Sequence, residues 1–380
     1  MAHPYQVAAY YFPNYHLDPR NAAVHGPGWT EWELLKRAVP RYPGQRQPRV
    51  PVWGYEDESD PVVMARKIAA AAEHGVDAFL FDWYWYDDGP FLQRGLEQGF
   101  LGAANNSRLK FAIMWANHNW TNIHPAGYAE SQQGSQTILY PGGITRQTFE
   151  SAARHVIDVY FKYPSYWKID GAPYFSIYDL PEMLRSLDGF AGLRDALAWF
   201  RAETKPAGFP NLHLNQVYWN VGILPGEAAI HNPSELMTGL GFDSITSYVW
   251  IHHAQLDNFP ETDYAQVCQE YLRFWENIEK EINLPYFPNA TMGWDSSPRT
   301  VQSETFAPVG YPFMPVLGGN TPAGFKAALQ TIKEKMDQKA DPGPKILTIN
   351  AWNEWTEGSY LEPDTLHGLG YLEAIREVFR

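Results

Sequence analysis

The stretch KILTINAWNEWTEG, residues 345–358, changes character at its middle. It begins as an apolar run of the kind found in buried strands and then presents Glu354 and Glu357, each next to or near a tryptophan. Carboxylates beside large aromatic side chains are costly to bury unless they are paired or used in chemistry. The stretch therefore predicts a core strand that ends in a functional site.

Runs like 345–352 recur along the chain with helical segments between them. Seven more β-type runs lie at 7–12, 77–84, 110–116, 173–179, 212–219, 243–250 and 286–294. Helical periodicity is present at 61–75, 91–104, 145–161, 192–204, 264–282, 323–336 and 369–379. A weaker helix is predicted at 232–241, where Asn232 or Ser234 could cap a short turn.

Eight apolar strands that alternate with helices indicate a parallel sheet, and eight is the number that closes a (β/α)8 TIM barrel. An open doubly wound sheet is the alternative. The barrel is favoured because no Gly-rich phosphate fingerprint follows any strand, and because polar and aromatic residues gather at the strand ends. We expect a single TIM-barrel domain over residues 1–380, with a long first βα loop at 13–60 that forms a lid or wall.

Composition restricts the partners. Hydrophobic residues make up 45% of the 380 residues, which is enough for a large core, and the net charge of -14 argues against nucleic acid or an anionic membrane. The 15 Trp and 23 Tyr are typical of a protein that stacks against sugars, so an oligosaccharide or polysaccharide is the expected partner. The single cysteine, Cys268, excludes an intrachain disulfide. With no signal peptide visible, a cytoplasmic location is expected, or a periplasmic or secreted one if a signal was removed.

The active site of such a barrel lies at the carboxyl ends of its strands, so the side chains that follow each run are the candidates for binding substrate. They are His16, Asp82, Trp83, Tyr84, Trp115, His118, Asn119, Tyr248, Trp250, Trp294, Asp295, Trp352 and Asn353, and the same positions include Trp120, Tyr178 and Trp219. The aromatic ones could instead fill the mouth of the barrel. Glu31, on the long first loop, is either a hydrogen-bond partner for sugar or a brace for the loop.

Glycoside hydrolysis requires one carboxylic acid to protonate the leaving oxygen and a second carboxylate as nucleophile or base. Glu354 and Glu357 supply such a pair from one loop, and the flanking tryptophans would raise the pKa of one of them. The alternative is that one glutamate caps a turn and the other is solvated. Asp179 and Asp295, after the fourth and seventh strands, form the second candidate pair.

Metal and other cofactors are not expected. His231, His252 and His253 lack the His-x-His or H-E-x-x-H spacing of a metal site.

Several motifs together resemble glycoside hydrolase family 99 and its WbsX-type relatives. They are AYYFPNYH (9–16), GWTEW (28–32), FDWYWY (81–86), WANHNWT (115–121) and WNEWTEG (352–358), so the match extends over nearly the whole chain. The resemblance implies a retaining, endo-acting α-mannoside hydrolase, or a near relative, that works without metal. It also implies that Glu354 is the base towards the sugar 2-hydroxyl, giving a 1,2-anhydro-sugar intermediate, and that Glu357 is the general acid/base at the glycosidic oxygen.

Two other functions remain open. WbsX-type members occur in polysaccharide gene contexts and have often been called glycosyltransferases, so a transferase in polysaccharide (O-antigen) assembly is one alternative. The sequence has no D-x-D between apolar strand residues to hold the metal of a sugar nucleotide, which disfavours the metal-dependent type of transferase. A sugar-binding barrel without activity is the other alternative, and the presence of both Glu354 and Glu357 argues against it.

Overall fold

A ring of eight parallel strands forms the centre of the computed structural model, which describes residues 4–219, 232–338, 343 and 345–380. Strands β1 to β8 are Tyr5–Tyr11, Ala78–Tyr86, Lys110–Trp115, Ala172–Ile177, His213–Val217, Ser244–Thr246, the two segments Tyr286–Phe287 and Asn289–Thr291, and Lys345–Asn350. Strands that follow one another in the chain lie side by side, and β8 pairs with β1, with Leu347 opposite Val7. The predicted barrel is confirmed.

Strand β7 closes the ring with its two short segments. Tyr286–Phe287 pairs with β6, and Asn289–Thr291 pairs with β8. Pro288 lies between them and has no N–H to donate to a neighbouring strand, so the continuous strand predicted at 286–294 does not form. Strand β6 is also shorter than predicted, because the chain soon turns into a 3-10 helix at Trp250–His252.

Helices pack around the ring. In the described ranges, α1 to α11 span Pro19–His25, Trp32–Arg37, Pro61–Glu73, Tyr128–Gln133, Arg146–His155, Leu180–Ser186, Gly189–Thr204, Pro233–Leu240, Tyr264–Glu281, Pro322–Asp337 and Gly370–Phe379. The weakest predicted helix is present as α8, and Asn232 caps it by accepting from Glu235 N at 2.8 Å. The helix predicted at 91–104 is only a π-helical turn, Gly95–Phe100, in a segment whose glycines lower helix propensity.

Three long loops meet over the carboxyl ends of the strands. The first loop contacts the loop after β8 where Val52 N donates to Pro363 O at 2.8 Å. It contacts the loop after β7 where Gln47 Nε2 donates to Asp295 at 2.9 Å. These contacts make the long first loop a wall of the face on which the site lies. None of the helices in the described ranges is both long enough and apolar enough to cross a bilayer.

Candidate active site

A cavity of about 500 Å³, the main cavity, opens at the carboxyl ends of the barrel strands. Glu354 and Glu357 both line it. The other strand-end residues of the sequence analysis that line it are Asp82, Tyr84, His118, Asn119, Trp120, Tyr178, Trp219, Tyr248 and Trp294. Further lining side chains include Phe12, His124, His252, Arg299 and Tyr311.

The turn after β8 directs both glutamates into the main cavity. Asn353–Glu354 pairs with Ser359–Tyr360 in a short antiparallel ladder, and the segment between them is a 3-10 turn. Gly358 ends this turn at a φ of +65°, where a Cβ atom would also lie 2.7 Å from Cβ of Asp295. A glycine is therefore required for the tight reversal that follows Glu357.

The two tryptophans of this turn point away from the main cavity. Trp352 Nε1 donates to Glu362 at 2.9 Å and Trp355 Nε1 donates to the other oxygen of Glu362 at 2.6 Å. Lys67, which is buried, forms an ion pair with Glu362 at 2.6 Å and a second one with Glu58. The indole N–H groups thus hold the turn from behind, and Trp352 lies outside the cavity that it was expected to line.

The Asn353 side chain also points away from the main cavity. Its side chain accepts from Phe12 N at 2.8 Å, and its Nδ2 donates to Phe12 O at 2.7 Å and to Glu58 at 2.9 Å. These three contacts use both N–H groups of the amide and one of the two acceptor positions of its oxygen. Asn353 thus joins the end of β1 to the turn after β8 and does not line the main cavity. Of the four residues of the W-N-E-W motif, only Glu354 lines the main cavity.

One buried arginine connects the acidic groups. The guanidinium of Arg299 contacts Glu31 through Nε at 2.8 Å, Glu354 through Nη2 at 3.0 Å, and both Glu357 and the Tyr311 hydroxyl through Nη1. Tyr311 also donates to Glu357 at 2.8 Å. Arg299 therefore holds both glutamates of the turn on one rigid, planar group.

Glu31 lies behind Arg299 and does not line the main cavity. Its carboxylate accepts from Asn14 Nδ2 at 2.6 Å and from the Thr356 hydroxyl, besides Arg299. These contacts match the loop-brace alternative for Glu31, because they join the first loop to the turn that carries the two glutamates.

Sequence reasoning did not single out Arg299 or Tyr311. Both come from the long loop after β7, beyond the strand end where candidates were sought. The available signal is weak: Arg299 is the only charged residue between Asp295 and Glu304.

Asp82 and Tyr248 extend the acidic cluster across the floor of the main cavity. The Tyr248 hydroxyl lies 2.9 Å from Oδ2 of Asp82 and 3.2 Å from Oε1 of Glu354. A hydroxyl has one proton to donate, so it serves one of the two carboxyl groups at a time. Burial raises the pKa of Asp82 well above its usual range, against the Tyr248 hydrogen bond, which lowers it.

The electrostatics of the cluster favour bound protons. Burial raises the pKa of Glu354 well above its usual range, with a contribution from Glu357, and burial also raises the pKa of Glu357. Arg299 opposes both shifts. Burial would also raise the pKa of Glu31, yet Arg299 and its other partners hold that pKa below its ordinary value. Glu31 and Arg299 thus form a charged pair, while Asp82, Glu354 and Glu357 would repel one another if all three were ionised.

Stacked aromatic pairs form two walls of the main cavity. Trp120 stacks on His124 with ring centroids 5.0 Å apart, and Trp219 stacks on His252 at 4.9 Å. Burial lowers the pKa of His124 to about 3 and that of His252 to about 4, so both imidazoles are neutral at physiological pH. The walls therefore present uncharged aromatic faces, which suit the apolar faces of sugar rings.

Besides Trp352, three predicted tryptophans lie outside the main cavity. Two of them, Trp83 and Trp115, are on strands, where successive side chains point to opposite faces. Trp83 and Trp115 have ring centroids 5.5 Å apart and face the helices, and Trp115 Nε1 donates to Trp85 O at 3.1 Å. Trp250 is buried and donates to Asn289 O at 2.9 Å. All three are buried between the strands and the surrounding helices, so they neither line the main cavity nor fill the mouth of the barrel.

Three further candidates lie elsewhere. His16 is buried beneath the first loop, and burial lowers its pKa to about 4. Asp179 caps α6 by accepting from Glu182 N at 2.9 Å. Asp295 accepts from Gln45, Gln47 and Ser297 and lines a neighbouring cavity. Neither member of the second candidate pair, Asp179 and Asp295, lines the main cavity.

Histidines do not form a cluster in the described ranges. His252 lines the main cavity, whereas His253 stacks on Phe274 with centroids 3.7 Å apart. His231 lies outside the described residues. Within 4–219, 232–338, 343 and 345–380, no group of three or more His, Cys, Asp and Glu residues could hold a metal ion.

Solved structures of glycoside hydrolases share this barrel. The chain is similar to the GH99 endo-alpha-mannosidase from Bacteroides thetaiotaomicron in complex with bis-tris-propane, with a TM-score of 0.58 and 14% identity over 98% of this chain and 95% of that chain. It is also similar to a glycoside hydrolase-like protein, with a TM-score of 0.62 and 15% identity over 100% of this chain and 95% of that chain. The protein therefore has the barrel fold of these glycoside hydrolases.

The sequence model for the family described as glycosyltransferase WbsX matches residues 7–375, and the chain belongs to that family. The predicted resemblance to WbsX-type proteins is confirmed, and the predicted likeness to family 99 is confirmed for the fold. The uncharacterized protein WxcX of Xanthomonas campestris pv. campestris is a curated relative in two strains, 25% identical over 392 residues. The alignment covers 98% of this chain and 49% of WxcX, so the chain spans about half the length of the curated relatives that it matches.

Proposed function

We propose that this protein is a retaining, endo-acting glycoside hydrolase that cleaves an α-mannoside-containing or bacterial surface polysaccharide, with participation of the sugar 2-hydroxyl. The observation that carries the proposal is the placement of Glu354 and Glu357 in one buried cavity, on the same guanidinium, with the pKa of both raised.

A carboxyl group of the acidic cluster holds the proton that the reaction needs. Arg299 brings one positive charge to four carboxyl groups. Its contact with Glu31 keeps the pKa of that carboxyl low, whereas burial raises the pKa of the other three, Asp82, Glu354 and Glu357. Buried like charges repel one another, so these carboxyl groups hold their protons more strongly than solvated carboxyl groups do. A protonated carboxyl group is what a glycosidic oxygen requires in order to leave.

The two roles are those that the resemblance to family 99 implies for the glutamates of this motif. Glu354 removes the proton from the 2-hydroxyl while that oxygen attacks C1, and Glu357 protonates the departing glycosidic oxygen. The resulting 1,2-anhydro sugar is then opened by water, which loses a proton to Glu357, while Glu354 returns a proton to O2. Two displacements at C1 retain the anomeric configuration. For Glu354 to be ionised when substrate is bound, the hydrogen bond and charge of Arg299 must stabilise its carboxylate.

The walls of the main cavity support a carbohydrate substrate. The Trp120–His124 and Trp219–His252 stacks stand on either side and are neutral, which suits sugar rings without selecting for charge.

The second candidate function is a glycosyltransferase in polysaccharide assembly. The description of the family to which the chain belongs is the observation in its favour. In that case an acceptor hydroxyl would replace water in the second displacement, or a nucleotide sugar would serve as the donor.

The test is a screen of defined α-mannosides and bacterial polysaccharides, with the first-formed product anomer read by NMR. We expect reducing-end products of the α configuration, lost in Glu354→Gln and kept in Glu281→Gln, which removes an exposed carboxylate at the end of α9. Products that form only when a nucleotide sugar is added would establish the transferase, and first products of the β configuration would exclude retention.

A further inference from the structure

A second cavity, of about 480 Å³, lies beside the main cavity and is close to it in size. Its walls come from the first loop within 42–50, from 316–321 at the start of α10, and from 360–371 in the loop before and at the start of α11. These segments follow β1, β7 and β8 at their carboxyl ends. The second cavity therefore lies on the face of the barrel that carries the main cavity.

Consecutive residues of the loop after β7 line the two cavities. Trp294 lines the main cavity, and the next residue, Asp295, lines the second. The backbone N–H of Asp295 donates to the carbonyl of Glu357, and Arg49 Nη1 donates to Gly358 O at 3.1 Å. A molecule bound against Arg49 would thus lie directly behind the turn that carries Glu357.

The charges of the second cavity do not select an ion. Two arginines, Arg46 and Arg49, face three carboxylates, Glu261, Asp295 and Asp364, so the sum of formal charges is close to zero. The carboxylates already have donors: Tyr42 to Glu261 at 3.0 Å, Gln47 to Asp295 at 2.9 Å and Tyr360 to Asp364 at 2.7 Å. In the described ranges these residues do not form a metal-binding group. A neutral ligand fits this lining better than an anion or a metal ion.

The remaining features of the lining suit hydroxyl groups. Arg49 Nε is buried and has no hydrogen-bond partner among the described residues. Its guanidinium carbon lies 5.7 Å from the centroid of the Tyr360 ring. The lining thus combines guanidinium donors and carboxylate acceptors with tyrosine rings, which include Tyr42 and Tyr371. Such a combination matches the hydroxyl groups and the C–H faces of a sugar.

We propose that the second cavity binds a neutral sugar, which is a further unit of the polysaccharide whose backbone is cleaved in the main cavity. The identity of that sugar as part of the substrate rests on the proposed function, whereas the existence of the site rests on the lining alone. Asp295 was expected from its strand-end position to bind substrate. In this proposal it lines the second cavity, and its backbone N–H donates to the carbonyl of Glu357.

The test uses crystals of the Glu354→Gln variant soaked separately with D-mannose, D-glucose, D-galactose, L-rhamnose and inorganic phosphate. We expect at least one of the four sugars in the second cavity, in contact with both Arg49 and Arg46, which line it. In solution, calorimetric titration of that sugar should show binding that Arg46→Ala weakens about two- to tenfold, as for the loss of one hydrogen bond. Arg46 is exposed, so its replacement leaves folding intact, and Arg37→Ala, on the exposed face of α2, is the matched control.

An empty second cavity with all four sugars overturns the proposal, as does occupancy by phosphate alone. Binding that appears only in the soaked crystal, or a solution affinity that Arg46→Ala leaves unchanged, overturns it too. The outcome is separate from that of the proposed function. If the wild type cleaves a polysaccharide but the second cavity stays empty, only this inference fails; if a sugar binds there but no polysaccharide is cleaved, only the proposed hydrolase activity fails.

Discussion

The Nε atom of Arg299 lies 2.8 Å from Oε1 of Glu31, and both side chains are buried although 268 positions separate them in the chain. Glu31 is on the first loop and Arg299 on the loop after β7, so the pair joins two walls of the main cavity. The same guanidinium contacts Glu354 and Glu357. Glu31 therefore acts on the two glutamates indirectly, by orienting the cation that they share.

Replacing Arg299 by Gln should move the acid limb of the pH profile of kcat/KM to higher pH. Arg299 lowers the pKa of both Glu354 and Glu357, so both pKa values rise when its charge is removed, and the base ionises later in a titration. Stability should also fall by about 3–5 kcal/mol, because Glu31 is left buried without its counter-ion. The control is Arg37→Gln, which removes an exposed charge. An acid limb that does not move would contradict the electrostatic role of Arg299.

The roles of the two glutamates should separate with the leaving group of the substrate. Glu357→Gln should lose turnover of substrates with poor leaving groups by ~10² to 10⁴-fold, as expected for general acid catalysis, yet spare activated aryl glycosides. Glu354→Gln should impair both kinds of substrate, while oligosaccharide still binds either variant.

A substrate without the 2-hydroxyl, such as a 2-deoxy or 2-fluoro glycoside, should not turn over at all. Steady-state kinetics on the matched substrates checks both statements. Turnover of the 2-deoxy substrate, or near wild-type rates in Glu354→Gln, would argue against 2-hydroxyl participation.

Glu354→Gln should be more stable than the wild type at neutral and alkaline pH. The pKa of Glu354 in the folded state is raised above its unfolded value of about 4.3. Stability linked to this carboxyl is therefore fully present below that unfolded value and is lost as the pH rises through the folded-state pKa. Glutamine cannot ionise, so the extra stability of the variant should shrink as the pH is lowered towards about 4.3, the ordinary pKa of glutamate.

Thermal unfolding of both proteins between acid and alkaline pH measures this difference. Glu281→Gln, which removes an exposed carboxylate, should show no such pH-dependent gain. A Glu354→Gln variant that is less stable than the wild type at alkaline pH would mean that the carboxylate is favoured by its surroundings, contrary to the burial that raises its pKa.

Trp355→Phe should lower the free energy of unfolding by about 1–3 kcal/mol, the range for a buried polar group that loses its partner. The change keeps an aromatic ring but removes the N–H that donates to Glu362 at 2.6 Å, next to the buried Lys67 ion pairs. Trp53→Phe, at a partly exposed indole, is the control. Urea unfolding measures both, and equal losses in the two variants would show that the contact with Glu362 contributes little.

Much of the fold could be predicted from local pattern. Apolar runs of strand length at eight places, with amphipathic segments between them, indicate the barrel, because side-chain periodicity reports which faces are buried. The interruption of β7 at Pro288 and the loss of a regular helix at Gly95–Phe100 depart from that pattern, since a missing N–H and several glycines change the hydrogen bonding within single elements.

The sequence by itself determined the barrel and the glutamate pair at the end of β8, because both follow from residues that are neighbours in the chain. Tertiary structure alone decided that Asp82 faces the main cavity while Trp83 faces the helices, and that Arg299 from a distant loop lies between Glu31 and the two glutamates. Such contacts depend on how long loops fold over the strand ends, and no local periodicity encodes the distance between two loops.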